Sequence, residues 1–120
     1  MAVRADTSEQ PNQPAVTPTL AGHLEAFLAY LEAECGLADN TVKSYACDLK
    51  DFLGWLTKHQ NDTVLTLANV DSDTLRDYMQ ALRDRQLATS SLARRLSTIR
   101  TFYRFLIFDG VLTESSVEQF

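Results

Sequence analysis

Ser90-Ser91-Leu92-Ala93-Arg94-Arg95-Leu96-Ser97-Thr98-Ile99-Arg100-Thr101-Phe102-Tyr103-Arg104-Phe105-Leu106-Ile107-Phe108 is the stretch that decides how this chain folds. At about 100° per residue, Leu92, Leu96, Ile99, Tyr103 and Leu106 fall on one stripe, the spacing of a helix that buries one face. Arg94, Arg100 and Arg104 fall away from that stripe, interleaved with the small residues Ala93, Ser97 and Thr101. No Asp or Glu occurs between Arg85 and Phe108, although the chain as a whole carries a net charge of −5. An exposed helix face ordinarily mixes signs, because i,i+4 pairs of opposite charge stabilise it. Here the acids are missing, and small side chains leave room for close approach between the Arg stems. A solvated surface is one reading of such a face, and a surface for a polyanion is the other.

Working outward from this helix, the preceding segments repeat its logic. Asp39 to His59 places Val42, Tyr45, Leu49, Phe52, Leu53 and Leu56 on a core side, with Trp55 at its edge. Lys43, Ala46, Cys47, Lys50 and Gly54 form another face, again basic with small neighbours. Leu20 to Cys35 buries Leu24, Phe27, Leu28 and Leu31, and Gly36 is placed to stop that helix with a positive φ. Gln60 to Val70 reads as a loop with Leu65 and Leu67 turned inward. Asp71 opens a third helix in which Leu75, Tyr78, Met79 and Leu82 pack inward. Arg76, Arg83 and Arg85 alternate there with Asp73, Asp77 and Asp84, which marks an ordinary solvated face. After Asp109-Gly110, Val111-Leu112 is expected to close the core.

The same residues carry a family resemblance. Ser91 to Leu106 resembles the last long helix of the core-binding domain of tyrosine recombinases, with the pattern S-x-x-R-x-L-S-x-hydrophobic-R-x-F-Y-x-F filled throughout. Gly36-Leu37-Ala38-Asp39-Asn40-Thr41-Val42-Lys43-Ser44-Tyr45-Ala46-Cys47-Asp48-Leu49 resembles the family's second motif, G-L-S-x-x-T-x-x-x-Y-x-x-D-L. Within the family the likeness is nearest to the Xer-like phage integrases, and it spans Leu20 to Val117. It implies an all-α fold, a compact bundle of four main helices of the SAM-like integrase N-terminal type, at about 20–35, 39–59, 71–85 and 90–108.

The chain departs from the family pattern at three places. Ala38 and Ala88 stand where Ser is usual, so Asp39 or Asn40, and Thr89 or Ser90, are expected to cap instead. Ser115-Ser116 replaces the common Asn-Pro. On this resemblance residues 1–18 are a disordered leader, 19–113 the DNA-binding core domain, and 114–120 the start of a linker to a catalytic domain, so that the chain reads as the front part of a longer enzyme.

The functional expectation is a DNA-binding core domain of a site-specific recombinase or integrase that clamps duplex DNA. Charge pattern and resemblance together nominate Thr41, Lys43, Ser44, Lys50, Ser90, Ser91, Arg94, Arg95, Ser97, Arg100 and Arg104 as DNA-binding residues. Arg95 lies at the border of the apolar stripe, where pairing with an acid from another helix is the alternative. The family's reaction uses a Tyr nucleophile and an Arg/Lys/His set in a separate domain, so no catalytic residue is expected here. His23 is followed by Leu-Glu-Ala and His59 by Gln-Asn-Asp, neither matching His-x-x-Arg, and Tyr30, Tyr45, Tyr78 and Tyr103 read as core residues with solvated hydroxyls. The resemblance further implies the parent's catalytic domain and other protomers of a synaptic tetramer as partners.

Composition narrows the remaining classes. Pro11, Pro14 and Pro18 are the three prolines, so nothing after residue 18 interrupts a helix. No apolar run is long enough to span a membrane and no signal pattern opens the chain, which leaves the cytoplasm as the expected compartment. Cys35 and Cys47, both within helical patterns, read as free thiols, and no Cys/His cluster has metal spacing, so neither metal nor cofactor is expected. Two rival readings remain. One is a helical protein-interaction module whose basic face meets an acidic partner. The weaker one is a helix-turn-helix regulator, whose short turn between two short helices is not present.

Overall fold

In the computed structural model, which describes residues 20–59, 67–113 and 117, the regular elements are four α-helices. They are α1 (Leu20–Ala33), α2 (Asp39–His59), α3 (Ser72–Asp84) and α4 (Thr89–Phe108). The fold is therefore the all-α bundle that the resemblance implied, with each helix within one or two residues of its expected bounds. The leader, residues 60–66 of the loop with Leu65, and all of the expected linker except Val117 lie outside the described residues. No helix among the described residues is long and apolar enough to cross a membrane.

The helix ends show how the local sequence sets these bounds. Gly36 takes φ +65°, and the turn it allows lets the Leu37 N–H reach back to the Leu31 carbonyl at 3.1 Å. At the end of α4, Gly110 at φ +81° closes two bonds, Gly110 N–H to Ile107 O at 3.1 Å and Val111 N–H to Leu106 O at 2.9 Å. That is the Schellman arrangement, which satisfies carbonyls the helix would leave bare. Gln86 performs the same turn after α3 at φ +62° without being glycine. Its N–H bonds Arg83 O at 2.8 Å while Leu87 N–H reaches Leu82 O at 3.4 Å.

Starts are less uniform. Asp71 caps α3 by accepting from the Thr74 N–H at 2.9 Å and the Thr74 hydroxyl at 3.0 Å. The expected substitute caps of the other two helices are not used. Asp39 and Thr89 are already helical, and Ala38 and Ala88 themselves supply the carbonyls for Val42 and Leu92, each at 3.0 Å. Ala88 is extended and gives no side-chain cap.

The core runs between α1, α2 and α4, with α3 closing it from the α4 side. Phe27 of α1 is its centre, fully buried, with ring centroids 5.3 Å from Phe102, 5.4 Å from Phe105 and 6.0 Å from Tyr45. Each such side chain contributes roughly 1.5–3 kcal/mol by burial. Ile99, Tyr103 and Leu106 are buried as expected, but Leu92 and Leu96 are only half-buried, and Phe102 and Phe105 take the deepest places on α4. The stripe is rotated because the later half of α4 turns Phe102 and Phe105 toward Phe27 and Tyr30 of α1. Leu112 and the buried Val117 finish the core, whereas Val111 is exposed. Cys35 lies in the turn after α1 rather than in a helix; it and Cys47 are exposed free thiols.

Candidate nucleic-acid interface

Two acids of α2 shape this surface. Asp48 and Asp51 sit one turn apart on α2, the i,i+3 spacing that puts side chains on one side of a helix. That side faces the start of α4. Asp48 is buried to 3% exposure and receives Arg94 in a two-pronged pair, Nε to Oδ2 at 3.0 Å and Nη2 to Oδ1 at 2.9 Å. The Thr98 hydroxyl adds a bond to Oδ2 at 3.3 Å. Asp51 gathers Arg85 through Nη1 at 3.1 Å and Nη2 at 2.7 Å, Arg95 through Nη1 at 2.9 Å, and the Tyr78 hydroxyl at 2.7 Å.

These bonds have electrostatic consequences. The Arg85 hydrogen bonds hold the Asp51 carboxyl below its ordinary value, against an opposing effect of burial. Burial, and then the bond to Asp51, push the Tyr78 phenol well above its ordinary value. Tyr103 is likewise raised by burial, and its hydroxyl donates to Leu67 O at 2.7 Å. The hydroxyls of Tyr78 and Tyr103 are thus bonded inside the protein, not solvated as the sequence suggested. No cluster of three His, Cys, Asp or Glu among the described residues is arranged to hold a metal ion.

The window free of acids in sequence is therefore not free of them in space. Three guanidinium groups, Arg85, Arg94 and Arg95, meet two carboxylates, Asp48 and Asp51, leaving one positive charge. Arg95 takes the alternative it was given. Its side chain is 16% exposed, Nη1 is bound to Asp51, and Nε lies 3.9 Å from Asp48. Arg85 is no ordinary member of a solvated face, because it ties α3 to α2. Arg76 does behave as one, pairing with Asp73 in the open.

Of the nominated residues, Thr41, Ser44, Arg94 and Ser97 are brought together. With Tyr45, Asp48 and Thr98 they line a groove of about 320 Å³ between α2 and α4. Ser90, Ala93, Ser97 and Arg104 continue as an exposed strip along α4, with Arg100 and Ser91 half-buried on its flanks. Lys43 and Lys50 are exposed but are not in the groove, since each helical step turns the side chain roughly 100°. Lys50 borders two other hollows. One is of about 440 Å³ with Trp55, Lys58 and Arg85, and the other is of about 240 Å³ with Leu20, Leu24 and Thr57. Sequence reasoning missed Asp48 and Asp51 as organisers. The signal available was Asp48 at the D of the Y-x-x-D-L pattern, next to the buried Leu49.

The molecule is an all-α bundle with a hydroxyl-bearing groove between α2 and α4. The chain belongs to the family described as phage integrase, N-terminal SAM-like domain, whose sequence profile matches residues 24–110. It is similar to the protein named tyrosine recombinase XerD of Rhizobium meliloti (strain 1021), 38% identical over 99 residues, covering 82% of this chain and 30% of that one. It is also similar to tyrosine recombinase XerC of Herpetosiphon aurantiacus, 34% identical over 95 residues, with 79% and 30% covered. XerD of Bradyrhizobium diazoefficiens is 41% identical over 85 residues, with 71% and 26% covered. The chain thus spans less than a third of the length of these curated relatives. No solved structure matches it significantly.

Proposed function

We propose that this chain is the DNA-binding core domain of a site-specific tyrosine recombinase or integrase, one half of a clamp around duplex DNA. The observation that carries the reading is the outer face of α4. Arg94 and Arg104 stand there among the small exposed side chains of Ser90, Ala93 and Ser97, on a helix that contains no acid. Such a face admits a phosphate backbone closely and leaves cations to neutralise it. Lys43 and Lys50 extend the cationic surface onto α2.

In this reading strand cutting belongs to another domain of the parent chain, not to the helices described here. The partners are double-stranded DNA at a recombination site, that catalytic domain, and further protomers in a synaptic tetramer. The compartment is the cytoplasm. Duplex binding by this chain is weak and little dependent on sequence, because half the clamp is elsewhere. Titration with duplex DNA over a range of salt tests the reading. With three to five phosphates contacted, log K falls with log[salt] at a slope of about −3 to −5. Absence of any complex at low salt, or a slope near zero, overturns the reading in favour of a protein-interaction module with an acidic partner.

A further inference from the structure

We propose that Asp48 is a positioning residue that presents Arg94 to a single phosphodiester in the α2–α4 groove; this rests on the DNA-binding reading above. A buried carboxylate beneath a DNA-facing surface is, on charge alone, unfavourable for binding a polyanion. Its geometry argues for a different role. Asp48 occupies the inner edge of the Arg94 guanidinium, Nε and Nη2, at 3.0 and 2.9 Å. A guanidinium carries five N–H donors in a planar fork, so three remain, including both on Nη1. The Arg94 side chain is 56% exposed while Asp48 is 3% exposed, so the fork is anchored at its root and open at its tip.

The surroundings fit a phosphate at that tip. Three hydroxyl-bearing residues, Thr41 and Ser44 on α2 and Ser97 on α4, line the same groove. Thr98 is not available to a ligand in this way. Its hydroxyl is buried and bonds Asp48 and the Arg94 carbonyl, bracing the pair from below. Asp48 in turn is fixed because α2 is held to α3 and α4 through Asp51, one turn further on. An arginine on a free stem loses rotamer freedom when it binds a phosphate. One that is already locked has lost that freedom on folding, so its contact with the phosphate is stronger.

The sign of the Asp48→Asn effect tests the proposal. Removing a carboxylate near DNA strengthens binding if charge alone matters. If Asp48 positions Arg94, Asp48→Asn weakens duplex affinity about tenfold, the size of one charge-assisted hydrogen bond. In an Arg94→Ala background the same change then alters affinity by less than about twofold, because the group it positions is gone. Arg94→Lys gives a second measurement in a variant whose altered side chain is half exposed and does not threaten folding. It keeps the charge but not the fork, and is expected to lose about as much affinity as Arg94→Ala.

Asp48→Asn binding as tightly as the parent or tighter overturns the proposal, as does an equal loss in the Arg94→Ala background. Arg94→Lys binding within about twofold of the parent also overturns it, and decides the matter alone if Asp48→Asn does not fold. In each of these cases the parent chain still binds duplex with its salt slope, so the DNA-binding reading stands. If the parent does not bind duplex at all, both fall together.

Discussion

At the scale of single residues, the structure separates side chains that look alike in the sequence. Asp48 and Asp73 are both acids on helices, yet Asp48 is buried beneath Arg94, and the Asp73–Arg76 pair is open, with side-chain exposures of 84% and 65%. A buried carboxylate depends on the hydrogen bonds it accepts, whereas exposed pairs contribute little. Asp48→Ala removes the acceptor of the Arg94 and Thr98 hydrogen bonds and is expected to destabilise the domain by about 2 kcal/mol, and Asp73→Ala by less than about 0.5 kcal/mol, in urea unfolding. Two positions are open to improvement. Gln86 holds φ +62°, where an L side chain is strained and glycine is not. Gln86→Gly is expected to stabilise by about 0.5–1 kcal/mol, the backbone entropy of glycine offsetting part of the relieved strain. Ala88 stands extended at the head of α4 with no side-chain acceptor for the first N–H groups. Ala88→Ser supplies one and is expected to add about 1 kcal/mol, seen as a higher urea midpoint with an unchanged slope.

At the scale of the element, α4 has two cationic sides with different work. Arg95, near its base, holds the α2–α3–α4 junction. Arg94 and Arg104 look outward. Arg94→Ala, Arg100→Ala and Lys43→Ala are each expected to weaken duplex binding about uniformly across sequences and to flatten the salt slope by about one unit. Arg76→Ala and Arg83→Ala on α3 serve as controls, with binding near that of the parent. Arg95→Ala is expected to lower stability while leaving the slope within about half a unit of the parent, because its side chain is only 16% exposed and its Nη1 is taken up by Asp51, whereas Arg94 is 56% exposed. Equal losses from α3 and α4 variants would mean that the wrong face has been assigned.

At the scale of the whole molecule, the three-helix ion cluster makes stability depend on pH. The Asp51 carboxyl is held below its ordinary value of 3.8, chiefly by hydrogen bonds from Arg85. A carboxylate whose folded pKa is depressed contributes stability that is fully present above its unfolded value and is lost as pH falls through the folded one. The parent is therefore expected to lose stability as pH drops below about 4, and Asp51→Asn to lose less over the same interval. Urea midpoints of both proteins at pH 7, 4 and 3 check this: their difference narrows as pH falls. A gap that stays constant would show that the Asp51 carboxylate gains nothing from its partners.

Much of this was legible in the residues themselves. Helices α1 to α4 follow from period-3.6 apolar stripes, from Gly36 and Gly110 as stops, and from a chain without proline after residue 18, all of them local causes that act within a turn or two. Four residues of the candidate site, Thr41, Ser44, Arg94 and Ser97, were nominated from charge pattern and family resemblance together. What the sequence could not determine is which charges meet. Arg94 and Asp48 are 46 positions apart, Arg95 and Asp51 are 44, and Arg85 and Asp51 are 34. Whether those side chains oppose one another or face solvent depends on how α2 rotates and slides against α3 and α4. That docking is fixed by the fit of Phe27, Phe52, Tyr78 and Phe102 in the core, and no local pattern encodes it. Periodicity determined the helices and their cationic faces, and tertiary packing alone decided that two hidden acids would neutralise some of those cations and fix the direction of another.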